Sequence, residues 1–320
     1  MFYFLNKHSG LQLALSLGLL IWAWLTIFTQ MTFAPVKGPS FLYQAIAPIF
    51  LAYPLLMKVT ASLMLLLVVF FLQRFFTQCK FSENQTYMPI LLLLLLLNAG
   101  HFLTRFTPAF FTLFFFSLVN VLMIRVEYDK LINNRIYSVG MLVALATLLD
   151  VQAVWMVLFL VIALFSNRVT KSKEIIILFL GMVLVYIYLF MFFFMSDRLP
   201  EMVEAFRHFH FFEIIRNFTA LRPIQYGLGG YLVLLLILNS VVVKVFFDNK
   251  LIVLRKRLVT TLFHILSCIL MLLFSGLAFH DSLLYLMGPL GLLLSMLCLV
   301  KRRKFVHDVE LMVLCVLLWL

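Results

Sequence analysis

Residues 86–100 read Thr-Tyr-Met-Pro-Ile-Leu-Leu-Leu-Leu-Leu-Leu-Leu-Asn-Ala-Gly, and the unbroken run from Ile90 to Leu97 decides the fold. Large apolar side chains at every position leave no face of this segment suited to water, whether it is drawn as a helix or as a strand. A membrane barrel strand would alternate apolar and polar residues, and this run does not. Inside a bilayer every backbone amide has to be satisfied within its own segment, so the run is a helix in lipid.

The same chemistry spreads outward. Of 320 residues, 65% are hydrophobic and 12% charged, against about 45–50% and about 25% in a soluble domain. Apolar runs fall near 10–33, 55–76, 86–103, 107–125, 137–149, 151–166, 174–196, 227–247, 259–279, 282–300 and 306–320. The expected fold class is therefore all-α: a polytopic transmembrane bundle of about 10–11 spans forming one integral membrane domain over 1–320. The runs at 137 and 151 meet at Asp150 and make either two thin spans or one broken hairpin; we read two. The first run is too long for a signal peptide and lacks a small-residue cleavage site.

A net charge of +12 would suggest nucleic acid in a soluble protein, but the cations stand in short clusters between apolar runs, which is the pattern of topology. With a cytoplasmic N-terminus and eleven crossings, 18 of the 25 Lys and Arg fall inside and 7 outside. Merging the two runs around Asp150 would put Arg255-Lys256-Arg257 and Lys301-Arg302-Arg303-Lys304 on the outer face, against the rule.

Orientation then places two long loops outside, at 34–54 and 197–226. The first carries four prolines and is expected to hold a short interfacial helix near Ser40 to Ile46, with Tyr43 and Tyr53 at headgroup depth. In the second, Leu199, Met202, Val203, Phe206 and Phe209 recur at helical spacing opposite Glu204, Arg207 and His208, the pattern of an amphipathic helix lying on the membrane.

Chemistry facing water is expected at this outer end. Lys58, His101, Arg105, Arg207, Arg216 and Arg222, with Glu204 and Glu213, could neutralise a lipid phosphate and leave an acid over as a base. Ordinary loop polarity accounts for the same residues, and His280-Asp281 reads as a turn. His264, within a span, reads as a satisfied buried histidine. No metal centre is expected: His208-Phe-His210 puts its ligands apart on a helix, and cysteines 79, 268, 298 and 315 lack zinc spacing. Gly227-Leu-Gly229-Gly230 follows no strand, so it is no phosphate loop, and no cofactor is indicated.

The outer loop ending at Pro54, the polar turn before Tyr87-Met-Pro89 and the segment Arg135-Ile-Tyr-Ser-Val-Gly140 resemble an uncharacterised Bacteroidota family of polytopic inner-membrane proteins. The layout is in turn similar to multi-span glycosyltransferases that use polyprenyl-phosphate donors. That class places an acid in its first outer loop; here the first acid is Glu83, on the cytoplasmic side. What the resemblance implies is a similar scaffold that binds or processes a lipid-linked glycan on a polyprenyl phosphate in the bilayer, with glycosyltransferase activity left open by the missing first-loop acid. A non-catalytic scaffold of an envelope assembly and a transporter or flippase are the other readings. Few polar residues stand near mid-bilayer to serve a transporter, chiefly Asn98, Asn120, Asn239 and His264.

Overall fold

The computed structural model describes residues 9–34, 40–79, 86–126, 132–166, 172–197, 252–274 and 279–299, with the isolated positions Leu199, Pro200, Val203, Gly230, Tyr231, Met312, Val313 and Val316. The described chain is an all-α helical bundle. Its elements are α1 (Ser9–Gln30), β1 (Thr32–Phe33), α2 (Phe41–Ala52), α3 (Pro54–Gln78), α4 (Met88–Ala99), a 3-10 turn (Phe102–Thr104) and β2 (Arg105–Phe106). There follow α5 (Pro108–Val126), α6 (Ile132–Leu149), a second 3-10 turn (Val151–Trp155), α7 (Met156–Ser166), α8 (Ser172–Met195), α9 (Ile252–Phe274), α10 (Phe279–Ser282) and α11 (Leu284–Leu299). Five helices among the described residues are long and apolar enough to cross a membrane: α1, α3, α6 and most of α8 and α9.

The leucine tract lies in the middle of this assembly. Leu91 to Leu94, Leu96 and Leu97 of α4 are buried, and α1, α3 and α11 pack around them. The surrounding helices are apolar on both sides: α1 turns Trp22 and Leu25 outward, α3 Leu55 and Leu63, α8 Leu180, Tyr188 and Phe192. A surface as apolar as the core is what lipid requires. Within the run 86–103 the helix occupies only Met88–Ala99. Pro89 sits in its first turn, where the missing N–H costs nothing, and the chain leaves the helix at Gly100 and a left-handed His101.

Specific polar contacts fix the direction of each helix. Near one end of α1 the Gln12 side chain accepts from Tyr87 N–H at 2.7 Å; further along, Asn98 donates to Leu19 O, and beyond the helix Thr32 pairs with Arg105. The partners advance together, so α1 and α4 run parallel. Between them α3 returns, with Lys58 beside Phe28 at its start and Gln73 donating to Thr86 O near its end. The end holding Lys58, Thr32 and Arg105 is here called the Arg105 end.

Asp150 locates the junction of the two short runs. Its carboxylate accepts from Thr112, near the start of α5, and from Tyr285, near the start of α11, which places the close of α6 at the Arg105 end. Helices α6 and α8 then meet at Gly140 against Leu178, Gly181 against Tyr137, and Thr147 against Tyr186 at 2.6 Å. The two glycine contacts mark one crossing, at 137–140 of α6 and 178–181 of α8, and Thr147 with Tyr186 lies further toward the C-terminal end of both helices, so α6 and α8 run parallel. The 3-10 turn and α7 between them carry the chain back; α6 is long and apolar enough to cross a membrane, and the stretch from Val151 to Phe165 is a shorter apolar helix.

The segment 34–54 departs from expectation. Its helix extends past Ile46 to Ala52, through Pro48. A proline forfeits one helical hydrogen bond but its φ is already helical, and the helix closes at Tyr53, whose N–H bonds Ile49 O. Tyr43 does not reach headgroups: it is buried, while Tyr53 is exposed.

Candidate functional site at the Arg105 end

Two short strands organise this end. β1 and β2 pair in parallel, Thr32 with Arg105 and Phe33 with Phe106, and Ala34 N–H extends the ladder to Phe106 O at 3.1 Å. Above them, the Tyr43 hydroxyl lies 2.9 Å from Ala34 O and 2.8 Å from Phe106 O, sharing its one hydrogen between the two carbonyls. Its ring stacks on Phe33 and meets Phe111 edge-on, while Phe106 packs with Phe50, Phe110 and Phe111. Burial, reinforced by the Asp281 carboxylate, pushes the Tyr43 phenol up, so it remains a donor. Loop one and the α4–α5 connection are thereby one rigid unit.

Arg105 projects from that unit. Its Nη1 lies 3.0 Å from Asp281 Oδ2 on α10; Asp281 is 7% exposed and Arg105 50%, so the acid is anchored in protein and half the arginine faces outward. Beneath it, Asp150 is 3% exposed and accepts from Thr112 Oγ1 at 2.6 Å, Tyr285 OH at 2.7 Å and Gln152 N–H at 3.2 Å. Burial raises the Asp150 carboxyl above its ordinary range, and these three donors pull it partway back.

The structure brings Lys58, His101 and Arg105 to the same end, with different duties. Lys58 Nζ donates to Phe28 O at 2.6 Å, capping the last turn of α1, where a cation meets the negative end of the helix dipole. His101 adopts φ 50° ahead of the 3-10 turn and is exposed. Arg207, Arg216, Arg222, Glu204 and Glu213 lie outside the described residues, as does the amphipathic helix apart from Leu199, Pro200 and Val203, which are helical. Asp281, read from sequence as a turn residue, is the ion-pair partner of Arg105. Thr107 went unremarked as part of the site; a threonine just before a proline was the available signal.

His264 is buried between Phe116 and Phe159, with ring centroids at 4.3 and 5.0 Å, and its Nδ1 is 3.1 Å from Asn120 Nδ2. It is satisfied on that side only, because Nε2 is buried without a hydrogen-bond partner.

Comparison of the chain with protein-family models, with curated proteins and with solved structures returns no match.

Proposed function

We propose that this chain is a multi-pass protein of a bacterial inner membrane, with its N-terminus in the cytoplasm, that binds a lipid-linked phosphate of the polyprenyl-phosphate class at its outer, Arg105 end. The observation that carries the reading is the state of Arg105. Its guanidinium is pinned on one edge by a buried acid and stands on a paired strand, which leaves the half-exposed side chain presented in a fixed orientation. A preorganised, planar donor set of this kind suits phosphate oxygens, and the low dielectric nearby strengthens the contact.

Binding without chemistry is the form of this reading we favour. The described part of loop one holds no acid, and Asp281 is already committed to Arg105. The hydrogen bond from Lys58 to the end of α1 is a structural role, and this supports the scaffold alternative.

Purified protein should bind a polyprenyl phosphate, and Arg105→Ala should weaken binding about tenfold or more, the loss expected from one charge-assisted contact of about 1.5–3 kcal/mol. Equal affinity in parent and variant would remove Arg105 from the site. No binding by the parent would leave the scaffold reading in place.

A further inference from the structure

We infer that the bound phosphate sits on the N-terminus of α5, held jointly by the Arg105 guanidinium, the Thr107 hydroxyl and the Ala109 N–H in the first turn of that helix. The inference rests on the phosphate reading above and locates it. Arg105 is extended, at φ −129° and ψ 124°, and Thr107 precedes Pro108, which confines its backbone to the extended region as well. Side chains alternate along extended chain, so Arg105 and Thr107 share one side while Phe106 takes the other, where it joins the aromatic cluster.

Thr107 also holds the position just ahead of α5. A threonine there ordinarily accepts a hydrogen bond from an N–H of the first turn. Here the residue is 2% exposed and its Oγ1 is buried with no hydrogen-bond partner. Pro108 has no N–H, Phe110 N–H goes to the Thr107 carbonyl at 3.1 Å, and the first turn of α5 carries no acid to answer its positive end. An unused hydroxyl that folding has buried at some cost, at the positive end of a 19-residue helix and beside an oriented arginine, makes a set of donors. A phosphate supplies only acceptors in return, and this is the chemistry helix N-termini recognise.

Asp281 shapes the preference. Its charge opposes any second anion, so the headgroup alone binds weakly and an attached apolar chain, buried in the bilayer, supplies the rest. Free phosphate and a lipid phosphate share the same contacts but differ in affinity.

The test is calorimetric titration of the full-length protein in nanodiscs with undecaprenyl phosphate and, separately, with inorganic phosphate, using Thr107→Val, Thr107→Ser and Arg105→Ala. Thr107→Val should weaken lipid binding about tenfold, the worth of one hydrogen bond to a charged group, and Thr107→Ser should keep it. Without ligand, Thr107→Val should unfold at a higher temperature than the parent, because it removes a buried hydroxyl that has no partner in the fold. Loss of binding together with a gain in stability is a pairing that a purely structural threonine cannot give. If Thr107→Val binds like the parent while Arg105→Ala does not, the helix site is overturned and the lipid reading stands. If the parent binds inorganic phosphate through Thr107 but no lipid phosphate, the helix site stands and the lipid reading falls. Thr107→Val less stable than the parent, or no binding of either ligand, overturns the inference.

Discussion

Asp150 carries three donors on one buried carboxylate, from α5, from the head of α11 and from its own following turn. Removing the acceptor strands the Thr112 and Tyr285 hydroxyls together, at roughly 1–3 kcal/mol for each buried group left unmade. Asp150→Ala should therefore lower the unfolding temperature in detergent sharply, and Asp150→Asn much less, because the amide keeps one acceptor oxygen. The pH dependence separates charge from shape. Burial raises the folded-state value above the unfolded one, so the native state binds the proton more tightly. The residue's contribution to stability is then greatest at acid pH, declines as pH rises from the ordinary carboxylate value through the raised folded value, and is flat above it. Asp150→Asn should gain on the parent across that window; a difference between the two proteins that does not change with pH would show that Asp150 titrates as it does in the unfolded chain. None of this was legible in the sequence, where an acid between two apolar runs reads equally well as a turn. The partners that decide its role lie 38 residues before it and 135 after it.

Helices α6 and α8 touch through backbone. A side-chain carbon on Gly140 would run into Leu178 O, and one on Gly181 into Tyr137 O, so each glycine admits the carbonyl of the other helix. Lipid tails give helices no hydrophobic reason to associate, and close backbone approach of this kind is what holds them. Because the obstructing atoms are carbonyl oxygens, which cannot move aside as a flexible side chain can, Gly140→Ala should cost about 1–3 kcal/mol through forced separation. Gly181→Ala should do the same. The double variant should cost less than the two singles added, since both push apart one crossing; full additivity, measured by thermal unfolding, would mean that the glycines act at independent places. Thr147→Val should add a smaller loss by removing the hydroxyl contact with Tyr186. In sequence Gly140 appears only as the end of Arg135-Ile-Tyr-Ser-Val-Gly140 and Gly181 as a lone glycine in an apolar run. Apolar periodicity locates a span, but which spans meet is set by these small residues, and a single sequence does not pair them.

Across the whole molecule the apolar runs were legible because lipid demands them at every turn, and their order was legible because α3, α4 and α5 reverse at loops rich in proline, glycine or charge. The helix limits were less so: Gly100 with left-handed His101 stops α4 early, and Pro48 fails to stop α2, each a backbone matter that hydropathy does not register. The sequence grouped Lys58, His101 and Arg105, which the structure brings to one end, but the pairing of Arg105 with Asp281 and the capping by Lys58 depend on contacts far apart in the chain. Orientation is the expectation with the broadest consequence. Among the described residues Arg74, Arg135, Lys173, Arg255, Lys256 and Arg257, with the helical position of Arg125, stand at the end opposite Arg105, where only Lys58 and Arg105 carry positive charge. With such an imbalance the richer end is expected in the cytoplasm, because translocating clustered Lys and Arg is resisted. Helix α8 offers a test on one element, since Lys173 at its start and Ser196 just past its end are both exposed. In a variant with all four native cysteines replaced, Ser196→Cys should react with a membrane-impermeant thiol reagent in intact cells, and Lys173→Cys should react only once the membrane is opened. The reverse pattern would invert the protein and turn the Arg105 end toward the cytoplasm, and reaction of both in intact cells would deny that α8 crosses at all.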